Sequence, residues 1–431
     1  MPPADPSPIV DIHTHIYPPS YISLLSSRTS PPQLLQLPPP SPDTPPPPPR
    51  LIILPSDSPS ANPSTPPSLL GRPIGPEYSS VPHILSFMNT HHITTSILSL
   101  ANPWLDFLPA HESAPWARRI NTELRTISAS SSGRIHAFGV LPLTAPLDSI
   151  LDELSFLASP ACHPYIKGLI LGTTGLGAGL DDPSLAPIFS ALQQHQSSAN
   201  NPLLLFIHPH YGLPSSVFGP RMQDSGHVLP LALGFPLETT IAFTRMWLAG
   251  VFDRFPGLKV LLAHAGGAVP ALAGRVGSCV EHERGFYDAS EKGKDGGEGA
   301  ESGRGARVRG PKRSLETVLR ENVYLDAVSY SATGVRAAVE VVGRERVLFG
   351  TDHPFFPPVG VGGKKEEGDG DGGGEGHGSG KEEESEWTSV TTNVEAVKNA
   401  FGSEDIDSIK GVLGGNAIRL FGLDVDSGGG G

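Results

Sequence analysis

The chain has 431 residues, room for several average domains or for one large barrel of alternating strands and helices. Its net charge is -13, of which residues 359–387 alone carry -6, and no basic stripe offers the clustered cations that nucleic acid requires. Two cysteines, Cys162 and Cys279, cannot form a disulfide framework, and neither a signal-like segment nor a run of about eighteen apolar residues occurs, so a reducing, cytoplasmic setting without a membrane partner is expected.

Short apolar runs alternate with segments of helical period, the pattern of repeated strand-helix units. In chain order, strands are expected at 9–13, 94–100, 135–141, 166–171, 203–208, 259–264, 323–327 and 347–352. Helices are expected at 81–90, 115–129, 147–158, 185–194, 237–255, 269–281 and 332–342. Eight strands with helices between them predict an α/β fold, a closed parallel (β/α)8 TIM barrel, as one domain over residues 1–425.

Three segments interrupt that pattern. Residues 31–67 hold 16 of the 46 prolines, which removes backbone donors and favours extended chain, so a mobile excursion is expected there. Residues 291–313 and 359–387 are glycine and charge with few apolar groups, and are expected to be disordered surface insertions, with a frayed tail at 426–431.

The polar residues that could carry chemistry fall where the strands end, which is where such barrels place their active sites. His13 and His15 are two apart and so share one face of the first strand. His208 closes the fifth and Asp352 the eighth. Three nitrogens and one carboxylate at one mouth suit a single zinc ion with a position left open. His264 ends the sixth strand and is expected beside the ion as a proton carrier, with a fifth-ligand role left open. A two-metal site would want a lysine at the end of the fourth strand, but Lys167 opens that strand and Gly172 closes it.

The strings VDIHTH, FIHPH, AHAGG and GTDHPF, in that order, resemble the aminocarboxymuconate-semialdehyde decarboxylase branch of the amidohydrolase superfamily. The longer strings VDIHTHIYPPSYI, SLANPWLDFL, GLILGTTGLGAGLDDP and FGTDHPFFPP are similar to the fungal uracil-5-carboxylate (isoorotate) decarboxylases. That resemblance implies a zinc-dependent, non-oxidative loss of carbon dioxide from uracil-5-carboxylate, in pyrimidine salvage. It places the metal ligands on His13, His15, His208 and Asp352, catalysis on Asp352 and His264, and substrate contacts on Arg72, Asn102 and Phe355. It further implies a homodimer in which Arg275 reaches the neighbouring subunit's site. Another small acid, such as 6-methylsalicylate or aminocarboxymuconate semialdehyde, or hydrolysis of a lactone or amide, stays open as an alternative.

Overall fold

The computed structural model describes residues 7–198, 203–292, 310–358 and 387–424. Eight parallel strands run in sequence order: β1 Ile9–Ile16, β2 Ile93–Leu100, β3 Ile135–Gly139, β4 Ile166–Gly172, β5 Leu204–His208, β6 Val260–Leu262, β7 Val323–Asp326 and β8 Val347–Leu348. Their side chains are largely buried on both faces, as a parallel sheet covered by helices demands. The circle closes where the chain after β8 meets β1: Ile12 N–H donates to Phe349 O at 3.0 Å, and Asp352 N–H to His13 O at 2.7 Å. All eight expected strands are present, and the molecule is a closed parallel (β/α)8 barrel.

Helices Val81–Thr90 and Ala332–Val342 have the expected limits. The expected helix 237–255 is two helices, Phe235–Leu248 and Val251–Arg254, because Gly250 turns the chain at φ 70°. Among the described residues, five α-helices had no forecast: Pro19–Ser26, Leu315–Asn322, Thr388–Phe401, Ile406–Lys410 and Asn416–Phe421. No helix among the described residues is long and apolar enough to cross a membrane.

The proline-rich excursion departs from expectation. Gln33–Leu35, Arg50–Ile52 and Arg72–Pro73 pair antiparallel in a small sheet, with Leu51 opposite Arg72. Leu34 and Leu51 are buried against the main core. Proline removes only its own donor, so the proline-free stretches 33–37 and 50–54 remain free to pair. Most of the other two insertions and the tail, residues 293–309, 359–386 and 425–431, lie outside the described residues.

Candidate active site

Six side chains from five strand ends converge at the mouth of the barrel. His13 and His15 project from one face of β1, His208 closes β5, His264 follows β6, Asp326 closes β7 and Asp352 follows β8. His13 Nδ1 lies 2.6 Å from Asp326 Oδ2, His15 Nδ1 3.0 Å from Ser99 Oγ, and His208 Nδ1 2.8 Å from Pro209 O. With each Nδ1 engaged, the Nε2 atoms of His13, His15 and His208 are left buried and without a hydrogen-bonding partner. Their rings sit with centroids 5.0 to 5.2 Å apart. Asp352 Oδ1 lies 3.4 Å from His13 Nε2 and 3.3 Å from His15 Nε2.

Orphaned imidazole nitrogens gathered around a carboxylate are costly unless something accepts their lone pairs, and a divalent ion does so. The donor set fits one. His264 is no more remote than the others: single ligand atoms of His13, His208, His264 and Asp352 all fall within 4.8 Å of one another. Its Nε2 is 3.7 Å from Asp352 Oδ2. Lys167 lies at the far end of β4 from Gly172, which pairs with His208, so that lysine does not bridge the site.

Burial lowers His15 to about 4 and pushes His208 well below its ordinary value, keeping both rings neutral as metal ligation requires. Burial drives the Asp352 carboxyl upward, but His15, His264 and His13 outweigh it and hold the group well below the usual range. The turn that carries His264 is strained, with φ of 56° at His264 and 53° at Ala265. Asp326 secures it by accepting from the N–H groups of His264 at 2.9 Å and Ala265 at 2.7 Å. Asp352 also has φ of 61°.

Arg72 and Phe355 meet beside this cluster. The Phe355 ring is 5.3 Å from the His15 ring, and the Arg72 guanidinium lies 4.6 Å above Phe355. Asn102 is buried in the loop after β2, and its Nδ2 donates to His210 O at 2.6 Å. Arg275 lies apart, exposed on helix Val269–Lys292.

Several buried groups that support the site carried no sequence expectation. Asp326 and Tyr17 are two. Asp106 faces His210 at 3.3 Å, and Glu238 accepts from His210 N–H at 3.0 Å and Gly212 N–H at 2.7 Å. His210 is buried within this framework, as a loop-packing group, whereas His227 is exposed. Trp104, Leu141, Ile170 and His210 border a narrow recess of about 20 Å³ on the β3 and β4 side of the mouth. The signal for Asp326 was available, since it ends a strand in YLD as Asp352 follows one in GTD.

A family model described as Amidohydrolase matches residues 10–369. The crystal structure of Metarhizium anisopliae IDCase in apo form superposes with a TM-score of 0.80 at 42% identity, covering 97% of this chain and 98% of that one. The 2-amino-3-carboxymuconate-6-semialdehyde decarboxylase of Dictyostelium discoideum is 28% identical over 56% of this chain, and the match spans little more than half of that relative, 56% of its length. A dihydroxybenzoic acid decarboxylase from Polaromonas sp. JS666, with bound manganese, shares the fold at a TM-score of 0.57, with 21% identity and coverage of 79% of this chain and 87% of that one. The chain belongs to the amidohydrolase family, and within it to the branch of metal-dependent carboxy-lyases.

Proposed function

We propose that the protein converts uracil-5-carboxylate to uracil and carbon dioxide. The observation that carries this reading is the similarity to IDCase, an isoorotate decarboxylase, over nearly the whole of both chains. The site chemistry supports it. His13, His15, His208 and Asp352 would hold one zinc ion per chain, a donor set that zinc favours. Such an ion would supply Lewis-acid chemistry for the substrate carboxylate.

The rest falls to side chains. Losing carbon dioxide directly from an unsaturated ring carbon would leave an electron pair with nothing to delocalise it, so a proton arrives first. Asp352 and His264, 3.7 Å apart between Oδ2 and Nε2, carry that proton and deliver it to the carboxylated carbon. The bond to the carboxylate then breaks, and its electron pair re-forms the ring double bond. Arg72 faces the carboxylate, Phe355 lies against the ring face and Asn102 hydrogen-bonds a ring carbonyl or imide.

We further read the enzyme as a cytoplasmic homodimer. Arg275 and Leu272, close together on one helix, are both exposed, and Arg275 would reach the neighbouring site. Cys162 and Cys279 are free thiols, in keeping with a reducing compartment.

The test is turnover of a panel of acids by metal-loaded enzyme: uracil-5-carboxylate, 6-methylsalicylate, 2,6-dihydroxybenzoate and aminocarboxymuconate semialdehyde. Uracil-5-carboxylate should be preferred, with one carbon dioxide released per uracil. Faster turnover of 6-methylsalicylate would overturn the substrate and leave the reaction class standing.

A further inference from the structure

Tyr17 sits where β1 leaves the barrel, two residues past His15, and its side chain is wholly buried. Its hydroxyl joins three segments. It donates to the backbone carbonyl of Asn102 at 2.6 Å, and it accepts from Arg72 Nη2. A single phenol oxygen with one proton can do both at once. The chain of contacts continues, because Asn102 Nδ2 donates to His210 O and His210 N–H donates to Glu238. The small sheet, the exit of β1 and the loops after β2 and β5 therefore share one hydrogen-bonded line.

Aromatic rings complete the seat. The Arg72 guanidinium lies 4.6 Å from the Phe355 ring, 5.5 Å from Tyr78 and 5.9 Å from Tyr17. Tyr17 is itself stacked between Tyr21 at 5.6 Å and Tyr78 at 6.0 Å. Arginine has several rotatable bonds, and holding it in one geometry before substrate arrives removes an ordering cost from binding.

We propose that the Tyr17 hydroxyl is a positioning residue that presets the Arg72 guanidinium above Phe355, and that the proline-rich excursion belongs to the substrate site because its small sheet delivers Arg72 to that hydroxyl. This rests on the reading that Arg72 binds the substrate carboxylate. Gly71, at φ 56°, sets up the delivery: a Cβ there would fall 2.1 Å from Leu51 O, so only glycine lets Arg50–Ile52 pack this closely beside Arg72. Tyr17 does not touch the reacting atoms. Its effect falls on capture of the charged acid and not on the chemical step.

Tyr17→Phe removes one oxygen and keeps both ring stacks, which confines the change to the hydrogen bonds. Steady-state kinetics on uracil-5-carboxylate should show KM raised about tenfold with kcat within about twofold, while inhibition by neutral uracil stays unchanged. In the Tyr17→Phe, Arg72→Gln double variant the tyrosine change should add nothing to the arginine change, since the hydroxyl then has no guanidinium to place. Full additivity, or a fall in kcat at constant KM, overturns the proposal. If Arg72→Gln alone leaves KM for the acid unchanged, the carboxylate contact falls and this proposal with it, whereas decarboxylation itself is judged on the wild type. Should Tyr17→Phe not fold, Arg72→Lys supplies the test: it keeps the charge without the fork and should raise KM about tenfold, and a wild-type KM would refute the preset geometry.

Discussion

Replacing Asp326 by asparagine should weaken metal binding without emptying the core. The aspartate divides its oxygens: Oδ2 faces His13 Nδ1 at 2.6 Å and His264 N–H at 2.9 Å, while Oδ1 accepts from Ala265 N–H at 2.7 Å and Val328 N–H at 3.0 Å. Asparagine has nearly the same shape but one oxygen only, and neither orientation of its amide satisfies both pairs. With the oxygen toward Ala265, the amide NH2 meets His13 Nδ1 and drives the imidazole proton onto Nε2, the atom that must stay bare to bind the ion. With the oxygen toward His13, Ala265 N–H in the strained turn and Val328 N–H just past β7 lose their acceptor. Loss of a partner behind a metal-bound histidine typically costs roughly ten- to a hundredfold in affinity, or about 1.4 to 2.7 kcal/mol. Chelator competition on the apo protein reads this directly, with the melting temperature as control. An affinity within about twofold of wild type would show that Asp326 does not govern the His13 tautomer.

Alanine at His13, His15 or His208 should strip metal and activity together, and His264→Ala should lose activity while keeping much of the metal; equal metal loss in all four, by elemental analysis, would make His264 a ligand. Asn102→Ala removes the donor to His210 O as well as the proposed substrate contact, and should lower kcat/KM by about 1 to 3 kcal/mol, roughly five- to over a hundredfold; a change under twofold would remove it from the site. His353 is buried, stacked 3.7 Å from Phe87, and burial lowers it to about 3. Its folded value lies below its unfolded one, so the stability it contributes is full above about pH 6.5 and is lost as pH falls towards 3. In His353→Gln, apo-protein stability measured by denaturant titration should therefore fall less steeply between pH 6 and 4, by close to 1.4 kcal/mol per pH unit, and an unchanged slope would refute the buried neutral imidazole.

Much of this site was legible because the barrel converts local signals into position. An apolar run ending in histidine or aspartate puts that side chain at the mouth, and His13, His15, His208 and Asp352 all converge as expected. Strand ends were less legible where function bends them. The sixth strand was expected to reach residue 264, but β6 ends at Leu262 so that His264 can take the strained turn above Asp326. The small sheet at residues 33–73 was hidden for another reason. Its proline content argues for extended chain, and extended chain is also what a strand is; the pairing depends on non-local contacts of Leu34 and Leu51 with the core. Tyr17 was invisible because IYPP reads as a strand end before a helix, and nothing local announces contacts with Arg72, 55 positions on, and Asn102, 85 positions on. The short helix Leu315–Asn322 did carry a signal, Ser314 three residues before Thr317, whose N–H its side chain caps.

The central claim, that a single metal bound by three histidines and Asp352 serves decarboxylation of uracil-5-carboxylate, is tested most directly by titrating apo protein with zinc and, in parallel, manganese while following uracil and carbon dioxide release. The account predicts that activity rises linearly and saturates at one ion per chain, with uracil and carbon dioxide formed in equal amounts. Saturation at two ions, or turnover of a lactone or amide in place of the acid, would contradict it.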